Sequence, residues 1–401
     1  MLELEEAQSR IAALIPPGAA ETIPLGQVLD RFLAEPVQSP IDLPCFDNSA
    51  MDGFAVRAED VGSAKPDAPV TLRLAGRIAA GEMFGGRVEQ GCCVRLFTGS
   101  ALPAGADAVV MQEDTKVAPT EPDKVFILDA AKPWENVRLR GEDIRAGTVL
   151  VEKGERLTSG RISLFAACGI GAVRVGSQPR VGLLATGSEL SEPGHELRPG
   201  HIYESNRIGL AALCQRVGAI PEIFPLVPDS LEATRSALTD AFNKCDLVVT
   251  SGGVSVGEFD FLKQAFADTG GDLQFWKVAI KPGRPFVFGR WREKFLFGLP
   301  GNPVSALVTF LLLVRPALLR SQGASETSLS SQPGALSEAF HNRDKRRHFV
   351  RVKIDGEGKV TSAGTQASNM LGSLAASNGL LDLPPLTSLQ AGATVRVLRW
   401  D

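Results

Sequence analysis

The sequence predicts a multidomain α/β plus β protein. It is expected to hold a βαβ domain with a mostly parallel sheet, an inserted β-rich module, a split helical linker domain and a small C-terminal β-domain. Three observations carry this. The chain has 401 residues, more than one core organises at about 100–200 residues per domain. Apolar runs alternate with amphipathic stretches over 180–320, whereas 46–140 carries short β-type runs cut by Gly, Pro and Asp. A Ser/Gly-rich stretch at 321–337 then separates a last group of β-type runs.

Taken in order, residues 2–15 form an amphipathic helix with Leu4, Ile11, Leu14 and Ile15 on one stripe, stopped by Pro16, Pro17 and Gly18. Strands are expected at 70–74, 93–97, 108–111 and 125–128. Cys92 and Cys93, adjacent on one of them, point to opposite faces. The helix-like stretch near 159–171 is expected to pack back on the N-terminal helix, which makes the β-rich part an insertion. The expected domains are 1–45 with 141–178, 46–140, 179–325 and 326–401. In the third, strands at 181–185, 219–226 and 247–250 alternate with helices at 207–217, 231–242 and 259–268. Asn302 as N-cap and Pro303 at the first helical position start its last helix. Strands at 349–354, 359–363 and 394–400 close the chain.

Composition narrows the function. The hydrophobic fraction is 44% and the charged fraction 22%, as in ordinary soluble proteins. Lys plus Arg is 42 against 46 Asp plus Glu, which argues against a dedicated nucleic-acid binder. The six Cys form no CxxC pair and the four His are scattered, so a structural zinc site is not expected. Few Cys, and an acidic N-terminus unlike a signal peptide, fit a cytoplasmic protein. The apolar run 304–314 is too short to span a bilayer and reads as a buried helix.

Four segments put chemistry where an α/β sheet binds its ligands, at the carboxyl ends of strands. In LATGSELSEPG, Thr186, Gly187 and Ser188 form a polar loop and Glu189 offers a carboxylate. In DLVVTSGGVSVGEFD, a strand runs into Ser251, Gly252, Gly253, Ser255 and Gly257, whose backbone N–H groups are suited to converge on an anion. Asp260, just beyond, would repel a phosphate unless a cation such as Mg²⁺ lay between. This is neither a Walker loop nor a GxGxxG fingerprint. In WKVAIKPGRPFVFG, alternation puts Lys277 and Lys281 on one face, and with Arg284 they suit a tetrahedral oxyanion, while Pro285 stiffens the turn. In LPGNPVSA, Gly, Asn and Ser sit at a helix start. The turn-rich segments around Asp52 and Thr98 read alone as hairpins. The basic run Arg343, Lys345, Arg346, Arg347 and Arg351 reads as a solvated face.

Together, LPCFDNSAMDGFAV, TGSALPAGADAVV, VRLRGEDIRAG, LATGSEL, TSGGVSVGEFD, AIKPGRP and LPGNPVSA, in that order, resemble the molybdopterin molybdenumtransferase family, over nearly the whole chain. The resemblance implies insertion of molybdenum from molybdate into adenylylated molybdopterin, with Mg²⁺ assisting and AMP leaving. It implies a homodimer of four-domain subunits with a molybdopterin-binding α/β domain, a split N-terminal domain and a C-terminal β-barrel. Carried over by motif, Glu189, Asp229 and Asp260 are the metal and catalytic acids, and Asp52 and Thr98 reach the site from the partner subunit. Arg138, in VRLRGED, is a cofactor-binding candidate, and Lys277, Lys281 and Arg284 would hold phosphate or molybdate. Pro300 and Pro303 shape the LPGNP turn, and Ser305, Arg346 and Ser368 are further candidates for the oxyanion pocket. Ser188 and Ser230 stand where many members carry Asp. Molybdopterin adenylyltransferase and apo-molybdoenzymes or their chaperones are the implied partners. A molybdopterin-binding, adenylylating or carrier module without insertion activity is the alternative reading.

Overall fold

A computed structural model describes residues 1–79, 81–254 and 261–400. Its centre is a six-stranded sheet. In chain order this α/β domain runs β1 (Arg180–Ala185), α1 (Asn206–Arg216), β2 (Ile220–Ile223), α2 (Leu231–Lys244), β3 (Leu247–Ser251), α3 (Leu262–Asp268), β4 (Asp272–Trp276), β5 (Val287–Trp291) and β6 (Lys294–Leu299). The spatial order is β2-β1-β3-β6-β5-β4. The first four are parallel, and β5 is antiparallel to both its neighbours. The chain steps from β1 to β2 on one side, then to β3 on the other. The carboxyl ends of β1 and β3 therefore border a topological switch point. β3 is buried along its whole length, because helices cover both faces of the sheet.

The helix that follows β6 is continuous from Pro303 to Ser321, with a π-type turn at Phe310–Val314. It is long and apolar enough to cross a membrane, yet 72% of its most apolar window is buried in this core. The π turn has a cause. Pro316 has no N–H to give to Leu312 O one turn back, and Gln8 Nε2 donates to that carbonyl instead, at 2.9 Å.

Gln8 belongs to the N-terminal helix Leu4–Leu14, whose packing differs from expectation. Leu4, Ala7, Ile11 and Ile15 join the α/β core beside Phe310, Leu313 and Leu318. Leu2 also bridges to Val278. The helix Ser159–Ala167 instead buries Phe165 with Val28, Leu33, Val151, Leu157 and Val175. The stripe on the N-terminal helix marks a buried face without saying what buries it.

The inserted module is a six-stranded sheet with a core on each face, and Cys93 faces the one built on Phe54 and Leu72. The C-terminal strands close into a barrel, because Arg347–Ile354 pairs with both Lys359–Ser362 and Gly379–Leu383, and those two are joined round the other side through Ser330–Leu336 and Thr394–Arg399. The Ser/Gly-rich stretch is not all linker. Ser330–Leu336 is a barrel strand, and a Cβ on Gly334 would come within 2.6 Å of Val360 Cγ2. Ile280–Lys281 adds to the barrel edge in parallel with Arg347 and His348, stitching it to the α/β domain.

Candidate functional site

The loops after β1, β2, β3 and β6 meet at one edge of the sheet. Ala185, Ser251 and Leu299, the last residues of β1, β3 and β6, stand in register, and Thr186 bridges to Val227 beyond β2. Main-chain bonds knit the loops together. Thr186 N donates to Ser251 O, Gly187 N to Val227 O and Gly252 N to Leu299 O, each at 3.1 Å. The N–H of Gly252 is thereby occupied and does not face an anion, contrary to the sequence expectation. The glycine is needed for a different reason. At φ +94°, a Cβ there would lie 2.7 Å from Thr186 O.

The loops enclose a cleft of about 570 Å³, reached by Thr186, Glu189, Tyr203, Asn206, Ser251 and, from the C-terminal domain, Asn369. Asn206 opens α1 and ties two walls together. Its Nδ2 donates to Ser251 Oγ at 2.6 Å and to Gly301 O at 2.7 Å. One residue on, Arg207 is 1% exposed. It bonds Glu204 through Nε at 3.0 Å and Glu192 through Nη2 at 2.8 Å to each carboxylate oxygen. That pairing fixes the excursion between Leu190 and Tyr203. Sequence reading missed both residues. The only local signal was an Arg on an apolar helix, which also suits an exposed face.

The acidic residues are placed as follows. Glu189 is exposed at the cleft. Asp229 and Ser188 bond reciprocally, Ser188 N donating to Asp229 Oδ2 at 2.9 Å and Asp229 N to Ser188 Oγ at 3.1 Å. Ser230, the other Asp-to-Ser position, accepts from Ala233 N and caps α2. Ser255, Gly257 and Asp260 lie outside the described residues. Among the described residues no three His, Cys, Asp or Glu gather as a metal site. Glu189 lines the cleft and Asp229 is tied to the same loop through Ser188; both are hard oxygen donors of the kind Mg²⁺ takes, one or two at a time, beside phosphate and water. The buried Thr186 Oγ1 has no partner among the described residues.

The cations are less gathered than alternation suggested. Lys277 has φ +68°, breaks the extended run, and lays Nζ 3.6 Å from the Trp276 ring centre. Lys281 lies on the barrel edge, 4.0 Å from Asp344. Arg284 is exposed and forms no ion pair among the described residues, and Pro285 is half-buried. Pro300 and Pro303 bracket the turn that enters the long helix, where Val304 N donates to Ser368 O at 3.2 Å. Ser305 is buried within that helix.

The basic run is not one solvated face. Arg346 forks onto Asp344, holding that carboxyl well below its usual range. Arg351 is fully buried. It donates to Ser373 Oγ at 3.0 Å, Thr365 O at 2.7 Å and Ala367 O at 3.1 Å, while Nη1 has no partner among the described residues. Arg351, not Arg346, is therefore the guanidinium set behind Ser368. Its signal was a lone charge inside the apolar run FVRV. Nearby, burial first, then Lys281 and Arg351, pull the His348 pKa down to about 4.

Asp52 and Thr98 meet on the inserted module. Thr98 N and Oγ1 both donate to Asp52 Oδ1 at 2.8 Å. These bonds, with Arg95 nearby, lower the carboxyl pKa. Arg138 is exposed at the same end, paired with Asn48. No hydrogen bond among the described residues joins this module to the α/β domain.

Comparison with known proteins places this architecture. Residues 2–169 match the MoeA N-terminal region (domain I and II), 182–320 a probable molybdopterin binding domain, and 333–400 the MoeA C-terminal region (domain IV). The molybdopterin molybdenumtransferase of Haemophilus influenzae is 38% identical, covering 99% of this chain and 98% of its own. That of Bacillus subtilis is 36% identical over 99% and 94%. The crystal structure of a molybdopterin biosynthesis MoeA protein from Pyrococcus horikoshii superimposes with a TM-score of 0.86 at 33% identity, over 100% of this chain and 99% of that one. These relatives define the class, a transferase of molybdenum cofactor biosynthesis. The chain belongs to the molybdopterin molybdenumtransferase (MoeA) family, whose reaction is molybdenum insertion.

Proposed function

We propose that this enzyme inserts molybdenum from molybdate into adenylylated molybdopterin, with Mg²⁺-assisted release of AMP, as a cytoplasmic homodimer. The observation that carries it is the convergence of three strand-end loops, the Glu189 carboxylate and a C-terminal-domain loop on one cleft, with Asp229 tied to the first of these loops through Ser188. Glu189 and Asp229, with Asp260, would hold Mg²⁺, which when bound polarises the phosphoanhydride as a Lewis acid. The chain's own groups do the rest. Asn206 and the Gly252 turn hold the cleft walls. The main-chain N–H of Gly252 is given to Leu299 O, and side-chain cations contribute to the anion binding. Lys281 and Arg284, with Lys277, meet phosphate or molybdate, and Arg351 positions Ser368 against the helix start. Charge fixed in advance beside the leaving AMP stabilises what develops there. Asp52, Thr98 and Arg138 complete the site from the partner subunit, presented on the inserted module where Thr98 already orients the Asp52 carboxylate. Adenylylated molybdopterin would come from an adenylyltransferase, and apo-molybdoenzymes or their chaperones would take the product.

The test is reconstitution of purified protein with adenylylated molybdopterin, Mg²⁺ and molybdate. The proposal expects AMP release together with activation of an apo-molybdoenzyme, both lost in Glu189→Ala. Tight binding with neither AMP nor activation would favour the carrier reading instead.

A further inference from the structure

A second cavity, of about 490 Å³, lies away from the cleft at the joint between the split domain and the α/β domain. Asp30, Glu155, Arg156 and Arg161 line it from one side and Arg216 and Arg315 from the other, with Glu326 at the edge. Four guanidiniums thus face three carboxylates. Two pairs neutralise locally. Arg156 Nη2 lies 3.0 Å from Asp30 Oδ1, and Arg161 pairs with Glu155. Arg216 and Arg315 form no ion pair among the described residues. Arg315 is only part-exposed, and its Nη1 donates to a neutral carbonyl, Thr327 O, at 2.8 Å. Burial, and Arg156 close by, lower its pKa. A guanidinium drawn out of water beside a like charge is unfavourable until an anion joins it.

We propose that this cavity is a binding site for a small phosphate-bearing anion, held by Arg315 and Arg216 with Arg156 behind them. Guanidinium forks match phosphate oxygens in shape and charge. The ligand would bridge two domains whose direct main-chain ties here are Gly18 N to Ser321 O at 2.7 Å and Ser325 N to Gly154 O at 2.9 Å. Occupancy would brace that joint. Glu326, exposed at the rim and without an ion pair among the described residues, opposes the anion and weakens it.

The test is calorimetric titration of the full chain with inorganic phosphate. Arg216→Gln is expected to weaken binding about tenfold, the scale of one charge-assisted hydrogen bond, and Glu326→Gln to tighten it several-fold. Both side chains are exposed, so both variants retain the fold even if Arg315→Gln does not. Lys281→Gln, on the barrel edge away from this cavity, is expected to leave this binding unchanged. Absence of phosphate binding, or binding indifferent to Arg216→Gln and Glu326→Gln, or binding lost only in Lys281→Gln, would each overturn the proposal.

Discussion

Asp229 at the strand-end cleft and Asp52 on the inserted module are each tied to a hydroxyl residue, but in different ways. Asp229 and Ser188 exchange one bond in each direction, and each lies on a loop stitched to another strand end. Asp52 takes both its bonds from one residue, Thr98, on an exposed surface. The cleft is thus held by main-chain contacts that a side-chain change easily upsets, while the module presents a locally finished carboxylate. Damage should spread in the first region and stay local in the second.

The largest effect is expected at Gly252. Gly252→Ala forces a Cβ onto Thr186 O at a positive φ, so activity should fall at least 100-fold and stability by about 1–3 kcal/mol, read by AMP release and denaturant unfolding. Asp52→Asn keeps the fold, and its midpoint should shift by less than about 0.5 kcal/mol, as at other exposed sites. If Asp52 completes the site, AMP release should nonetheless drop roughly 100-fold. Equal loss of stability in the two variants would erase the contrast. Asn206→Ala sits between them. It leaves Ser251 Oγ and Gly301 O without their donor, and KM should rise about tenfold with kcat less affected.

His348 gives a smaller, pH-resolved effect. Its pKa of about 4 lies below the ordinary value of 6.5, so the unfolded chain binds the proton more readily across that window. Stability should therefore fall as pH drops from 6.5 to 4. His348→Gln should flatten that slope by up to one proton in a pH series of unfolding midpoints. Smallest is thiol labelling. Cys45 is exposed while the other five Cys are buried, and burial pushes Cys93 and Cys214 to about 12. One thiol should react quickly in the native protein and six after unfolding.

Much of the α/β domain was legible because strand and helix periods differ and each helix covers a sheet face. Residues 181–185 and 247–250 fall within observed strands. The edge strand Ile220–Ile223 is shorter than the apolar run 219–226, because pairing with β1 ends at Ile223. What a face packs against was not legible. The N-terminal helix covers the α/β core, and Arg351 in FVRV points inward. Lys277 defeated alternation, which holds only while φ stays extended. The Gly252 loop was recognised as special, but its reason is a close backbone approach, visible only once Thr186 is beside it.

In the proposed enzyme the cleft and the module meet across two subunits. The direct measurement mixes two inactive variants, Glu189→Ala and Asp52→Ala, after joint unfolding and reassembly. A site built from both subunits restores about a quarter of wild-type AMP release, since half the dimers are mixed and each has one intact site. No recovery above the separate variants, with mixed dimers shown to be present, would contradict it.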